Sequence, residues 1–415
     1  MAVSRRAVLS LVVLALLGVF VGIGFWYESR LTKPSQADDT TAIVVTTGAD
    51  RGVGSLREAL FIAAAAKGPT TISVRAPRIT LATALPPFVS THGLHLVAEQ
   101  AKVEIDAGRL PGSAVLDVAS ANVSIEGIHI LGCRASGVLL RASKFRLLSS
   151  TIRSCDVGVD IAENASEVLL ERNLFVNNRI GVRFAGSNKN TAVLKNEFNE
   201  QRDAGIWAVR GDPDSRGSPV SIRENRYTNE RIGILAVNVS VSVERNELLK
   251  SRDAAIQLMG AGAVVRNNRI SGGAAMGIVA ENAEGVIIEG NEIDGLQAYG
   301  IMLKGSSDAL LQGNRVHNSG YGLAFVLGAR PSTAIDNTII EPRFNGIDVI
   351  GDSPVLRNNN VLRPRGLALK VVDFQTPDGR TVRAQPFLEG NNFNAKGLVV
   401  AARNGAPTDN ERRSE

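Results

Sequence analysis

Asp160, Arg183 and Trp207 follow one another at steps of 23 and 24 residues. A carboxylate moves a proton, a guanidinium offsets the charge of an acidic group, and an indole offers a flat apolar plate, so the three together suit a charged saccharide. Asp160, Arg183, Asp212 and Asp214 are the candidate catalytic residues, and Trp207 with Arg183 the candidate substrate-binding pair. Asp212 and Asp214 flank Pro213 in the segment RGDPDSRGSP, from Arg210 to Pro219. With backbone carbonyls, these two carboxylates make a hard-oxygen set of the kind Ca²⁺ takes, and an Asp-Pro turn on a solvated loop is the simpler reading. No other cofactor is expected. His92, His95, His129 and His317 fall at no metal-ligand spacing, so no other metal site is expected.

Such side chains need a scaffold that returns to the same place every 23 residues. A unit of the form apolar-x-apolar-x-x-Asn recurs at Asn173, Asn196, Asn225, Asn246, Asn268, Asn291, Asn314, Asn337, Asn360 and Asn392, with gaps of 23, 29, 21, 22, 23, 23, 23, 23 and 32. Two earlier steps lead back through Ser150 to Gly127. Within each unit the Val, Ile and Leu residues alternate with period 2, as in strands, so each unit is one coil of short strands. Asn suits a tight left-handed bend, and amides stacked at the strand spacing can bond along the column, which makes these residues a structural ladder. A glycine usually follows eight or nine residues later, as in GIWAV from Gly205 and GIML from Gly300, and reads as a sharp corner into the next strand.

On this pattern the chain resembles the right-handed parallel β-helix superfamily of pectate lyases, alginate epimerases and NosD-like repeats, from about Thr91 to Val400. The stretch GADRGVGSLREALFIAAAAKGPTTISV is similar to the CSLREA-type lead-in of bacterial surface β-helices, without its Cys. Within it Ser55 and Glu58 form a capping box for a helix ending near Lys67, expected to cover the open end of the solenoid. The expected fold is therefore all-β: a single-stranded right-handed parallel β-helix of about 12 coils with an N-terminal capping helix and a transmembrane helix. The resemblance implies a substrate groove on the Gly-led strands, whose first outward column carries Asp160, Arg183 and Trp207. From Leu235 to Ile350 that face is mostly aliphatic, a pattern that suits an interface better than a polar cleft. Asp212-Pro213-Asp214 resembles the Asp-Pro-His-Asp motif of mannuronan C5-epimerases but lacks its His.

The segment Ala7–Tyr27 is 21 residues long and uncharged, enough to span about 30 Å of hydrocarbon, with Arg5 and Arg6 before it and Trp26 and Tyr27 closing it. A cleaved signal peptide is the competing reading, with Ser35 and Ala37 near a cleavage site. The chain divides into a cytoplasmic stub and transmembrane anchor (1–27), a linker (28–41), a cap (42–90), the β-helix (91–403) and a polar tail (404–415). This places it in the inner membrane, single-pass, with the solenoid on the periplasmic or extracellular side. Cys133 and Cys155, 22 residues apart, take corner positions of neighbouring coils and are expected to form a disulfide. With a net charge of +5 and no basic patch, nucleic acid is not an expected partner. The function expected is binding or processing of a polysaccharide. The alternative is a non-catalytic scaffold docking a protein partner or a second copy of itself through its aliphatic stripe.

Overall fold

The computed structural model describes residues 40–163, 165–186, 188–210, 219–260, 262–273 and 276–394. Ala7–Tyr27, Asp212, Asp214 and the tail 404–415 lie outside the described residues. Among those described, no helix is long and apolar enough to cross a membrane.

Most coils give one short strand to each of three parallel sheets, of 15, 14 and 12 strands, the end coils contributing to fewer. The rod has about 13 turns, more than the repeat count suggests. The surplus lies at the N-terminal end, where Thr41–Val45, Thr70–Val74 and Leu94–Ala98 pair in register with no ladder asparagine to mark them. Alternation puts every second side chain inside, and the buried apolar residues form one continuous core from Val45 to Ala384. Phe175, Phe198 and Tyr227 stack within it at ring separations of 4.8 and 4.7 Å.

The asparagine column lies at the corner between the first and second sheets. Asn268 shows the pattern: its N–H and its Nδ2 both donate to Asn291 Oδ1, at 2.9 and 3.0 Å, and Nδ2 also donates to Val243 O at 2.9 Å. The left-handed bend belongs to the residue before each ladder asparagine, for example Arg172, Lys195, Glu224, Arg245 and Asn267. That rule corrects the last two steps. Asn337 bonds to Asn359, and Asn359 to Asn391, because Asn358 and Gly390 are the residues with positive φ. Asn360 and Asn392 instead open the next strands and bond to each other at the surface, Nδ2 to Oδ1 at 2.9 Å.

The recurrent glycines also differ from their sequence reading. Gly158, Gly181 and Gly205 do not have positive φ. A Cβ on Gly205 would stand 2.7 Å from Gly233 O and 2.8 Å from the Tyr227 ring, so the residue is small because the coil interior leaves no room. Ala255 fills the equivalent place once.

The helix Leu56–Ala65 is capped by Ser55, whose Oγ accepts from Glu58 N at 3.3 Å, while Glu58 Oε2 accepts from Gly54 N at 2.6 Å. Leu56, Ala59, Leu60 and Ala63 face the core at helical spacing. Cys133 and Cys155 stand on adjacent coils with Cα atoms 4.4 Å apart and are bridged.

Candidate functional site

The outward face of the third sheet carries the predicted column. Strand register aligns Asp160, Arg183, Trp207 and Leu235 side by side in successive coils. Arg183 grips Asp160 in a bidentate pair, Nε to Oδ1 at 2.8 Å and Nη2 to Oδ2 at 2.5 Å, and this bond holds the guanidinium pKa above its ordinary value. Asp160 is almost wholly covered, and the Arg183 side chain is 41% exposed. Both oxygens of Asp160 are engaged by Arg183 through Nε and Nη2, which leaves the remaining N–H groups of the partly exposed guanidinium available to a ligand. Trp207 is half-buried, and its indole N–H has no hydrogen-bond partner among the described residues.

Beside this column, at the turn into the third sheet, runs a chain of alternating charge. Arg179 bonds Asp156 through Nε at 2.6 Å and Asp203 through Nη1 at 3.0 Å, and Arg231 lies 4.0 Å from Asp203 and 2.6 Å from Asp253. The Arg202-Asp203 and Arg252-Asp253 dipeptides suggest local pairs, but each aspartate pairs with an arginine of a neighbouring coil. Stacking makes residues 22 to 28 apart closer partners than sequence neighbours that point to different sides.

The stretch from Leu235 to Ile350 corrects a second expectation. Val279 and Ala324 are fully buried and Leu235 and Met302 half-buried, so this part of the face is not an exposed apolar stripe. It ends in a cluster that sequence reasoning missed. The rings of Tyr299 and Tyr321 stack at 4.4 Å, and Phe344 stacks on Tyr321 at 5.0 Å and leaves 52% of itself exposed. Under them lies Asp348, almost fully buried, accepting from Asn345 Nδ2 at 2.8 Å. Burial raises the Asp348 pKa, and burial together with the Asp348 charge pushes the Tyr299 phenol up to about 12. Tyr299 and Tyr321 both immediately precede a strand glycine, a signal available in the sequence. Phe344 stands one place earlier, two residues before Gly346.

Asp212 and Asp214 lie outside the described residues, and with them the Ca²⁺ reading. Among the described residues no three His, Cys, Asp or Glu side chains are grouped to hold a metal ion.

The family model "Right handed beta helix region" matches residues 101–216 and 213–361, more than half of the chain. The chain belongs to the right-handed β-helix family. No curated protein matches it. Among solved structures this β-helix is similar to the A-module of a mannuronan C-5 epimerase from Azotobacter vinelandii, with TM-score 0.50 and 14% identity, covering 87% of this chain and 100% of that one. It is similar to PfbA, a surface adhesin of Streptococcus pneumoniae, with TM-score 0.51 and 12% identity over 85% and 100% of the two chains. Tailspike protein 3 of bacteriophage CBA120 gives TM-score 0.51 and 13% identity over 99% and 72%. At such identities the likeness is one of fold alone.

Proposed function

We propose that this β-helix is held at the membrane by Ala7–Tyr27, stands on the extracytoplasmic side, and binds a polysaccharide along the outer face of its third sheet. The observation that carries the reading is the placing of half-buried Trp207 beside the partly exposed Arg183 on a face kept in register through 12 strands. An indole edge next to a guanidinium offers a sugar both an apolar contact and hydrogen-bond donors. The epimerase likeness, in a protein named for mannuronan, supports the ligand class. Binding without turnover fits the chemistry better than catalysis, since Asp160 is neutralised by Arg183 and Asp348 is covered. In the middle of the face Val279 and Ala324 are buried and Leu235 and Met302 half-buried, which leaves a protein-docking scaffold less apolar surface to offer.

The test is binding of the full chain, in detergent micelles, to a panel of uronate-containing and neutral polysaccharides. Binding is expected, and Trp207→Ala is expected to lose at least about tenfold in affinity, roughly 1.4 kcal/mol, with an unchanged circular dichroism spectrum. Undiminished binding by Trp207→Ala would move the site elsewhere. Failure of the wild type to bind any of the panel would overturn the polysaccharide reading.

A further inference from the structure

The N-terminal end of the β-helix is closed by the helix Leu56–Ala65, and the outer face of that closure is apolar. Phe61 is 61% exposed, Ile62 46% and Val53 88%, with Ala64 and Ala65 exposed beside them. End caps of solenoids ordinarily turn a polar face to water, so a cap with this surface calls for a cover. The nearby acids are turned away from it. Glu58 accepts from Gly54 N, and Asp50 accepts from Arg57 Nη2 at 2.8 Å and from Thr83 Oγ1 at 2.8 Å. Among the described residues from Thr41 to Thr70, Arg51 and Lys67 are the exposed charged side chains, and Arg51 Nε also lies 3.7 Å from the less exposed Asp50 Oδ2.

We propose that this cap rests on the surface of an anionic bilayer, with Phe61, Ile62 and Val53 dipping into the headgroup boundary and Arg51 and Lys67 among the lipid phosphates. Exposed apolar side chains edged by cations are the make-up of an interfacial helix. The length of chain ahead of the solenoid favours a lipid surface over a second copy. The first strand, Thr41–Val45, packs beside the helix, and only residues 28–40 separate it from the apolar segment Ala7–Tyr27, a reach of at most about 45 Å. The proposal rests on the membrane anchoring put forward above, and the two can fail separately.

The full chain carrying Phe61→Cys or Ile62→Cys, spin-labelled and reconstituted into phosphatidylcholine–phosphatidylglycerol vesicles, reports where the cap lies. The native cysteines are bridged to each other, so the label goes to the added thiol. Thr381→Cys, in a hairpin of the last coils, is the control. The labels at 61 and 62 are expected to collide more with oxygen than with a water-soluble nickel chelate, placing them roughly 5 to 10 Å below the phosphates. At 381 the order reverses. Lys67→Glu is expected to lower the oxygen preference at 61. A chain that floats with the vesicles while its label at 61 is as open to nickel as that at 381 overturns the cap contact and leaves the anchor standing. Spin–spin broadening at 61 that dilution with unlabelled chain removes means a second copy covers the patch, and also overturns it. A chain that does not float at all overturns both.

Discussion

Glu230 sits in the second corner column, where Cys155, Asn178 and Gln201 precede it. Gln201 N donates to its Oε2 at 3.1 Å, whereas Oε1, the Tyr227 hydroxyl and the Ser251 hydroxyl are buried without partners among the described residues. Burial raises the carboxyl pKa to about 8 against the pull of the Gln201 N–H and the Arg252 charge, with Glu200 adding repulsion. The folded state therefore holds a proton that the unfolded chain releases near its ordinary value of 4.5. Stability from this group is complete below that value and is lost as pH rises through about 8, at about 1.4 kcal/mol per pH unit within the window. His95 and His129, held low by burial, tilt stability the other way below their ordinary value of 6.5, so the comparison belongs above it. Between about pH 7 and about pH 9, the melting temperature of the wild type should fall and that of Glu230→Gln should stay nearly flat. Equal slopes in the two proteins would show that Glu230 is already ionised. In the sequence this residue has the look of any solvated glutamate, since only the coil geometry puts it in a column of neutral amides.

At the scale of the strand and corner, the ladder asparagines from Asn173 to Asn337 were legible because their spacing follows from the coil itself. The slip to Asn360 and Asn392 came from runs of two and three asparagines, in which spacing cannot choose the corner residue but the left-handed predecessor can. The glycines were recognised as a column but given the wrong cause. Their need is for space, and that yields a prediction: Gly205→Ala should destabilise the protein by roughly 1 to 3 kcal/mol, because its Cβ meets a backbone carbonyl and the stacked Tyr227 ring. Gly379→Ala, with nothing near its Cβ but a positive φ, serves as a contrast in which only strain acts. If chemical denaturation shows no loss at position 205, the interior must relax more than its ring stack suggests. The column of Asp160, Arg183 and Trp207 was placed in register from sequence, whereas the grip of Arg183 on Asp160 was not, because alternation gives a side chain's direction and leaves its partner open. The Tyr299–Tyr321–Phe344 stack escaped notice because Tyr299 and Tyr321 open their strands ahead of the strand glycine and Phe344 lies in the turn before its strand, so none belongs to the alternating column that follows the glycine.

Across the whole solenoid each coil touches chiefly the coils before and after it, so stability is close to a sum of neighbour terms. One outward column of the second sheet reads Arg226, Glu247, Arg269, Glu292 and Arg315 in successive coils. Removing the 23 residues Arg269–Asn291 would set Glu247 beside Glu292, whereas removing the 46 residues Arg269–Asn314 would set Glu247 beside Arg315. Both shortened chains should fold, since the ladder closes up from Asn268 to Asn314 in one case and to Asn337 in the other. The two-coil deletion should be spared the like-charge contact, a difference of roughly 0.2 to 1 kcal/mol visible in their melting curves. Collapse of both would mean that the rod tolerates no change of length. Such a chain behaves as a ruler, in which sequence length converts linearly into distance at about 4.8 Å per coil, and alternating charge makes two coils its natural graduation.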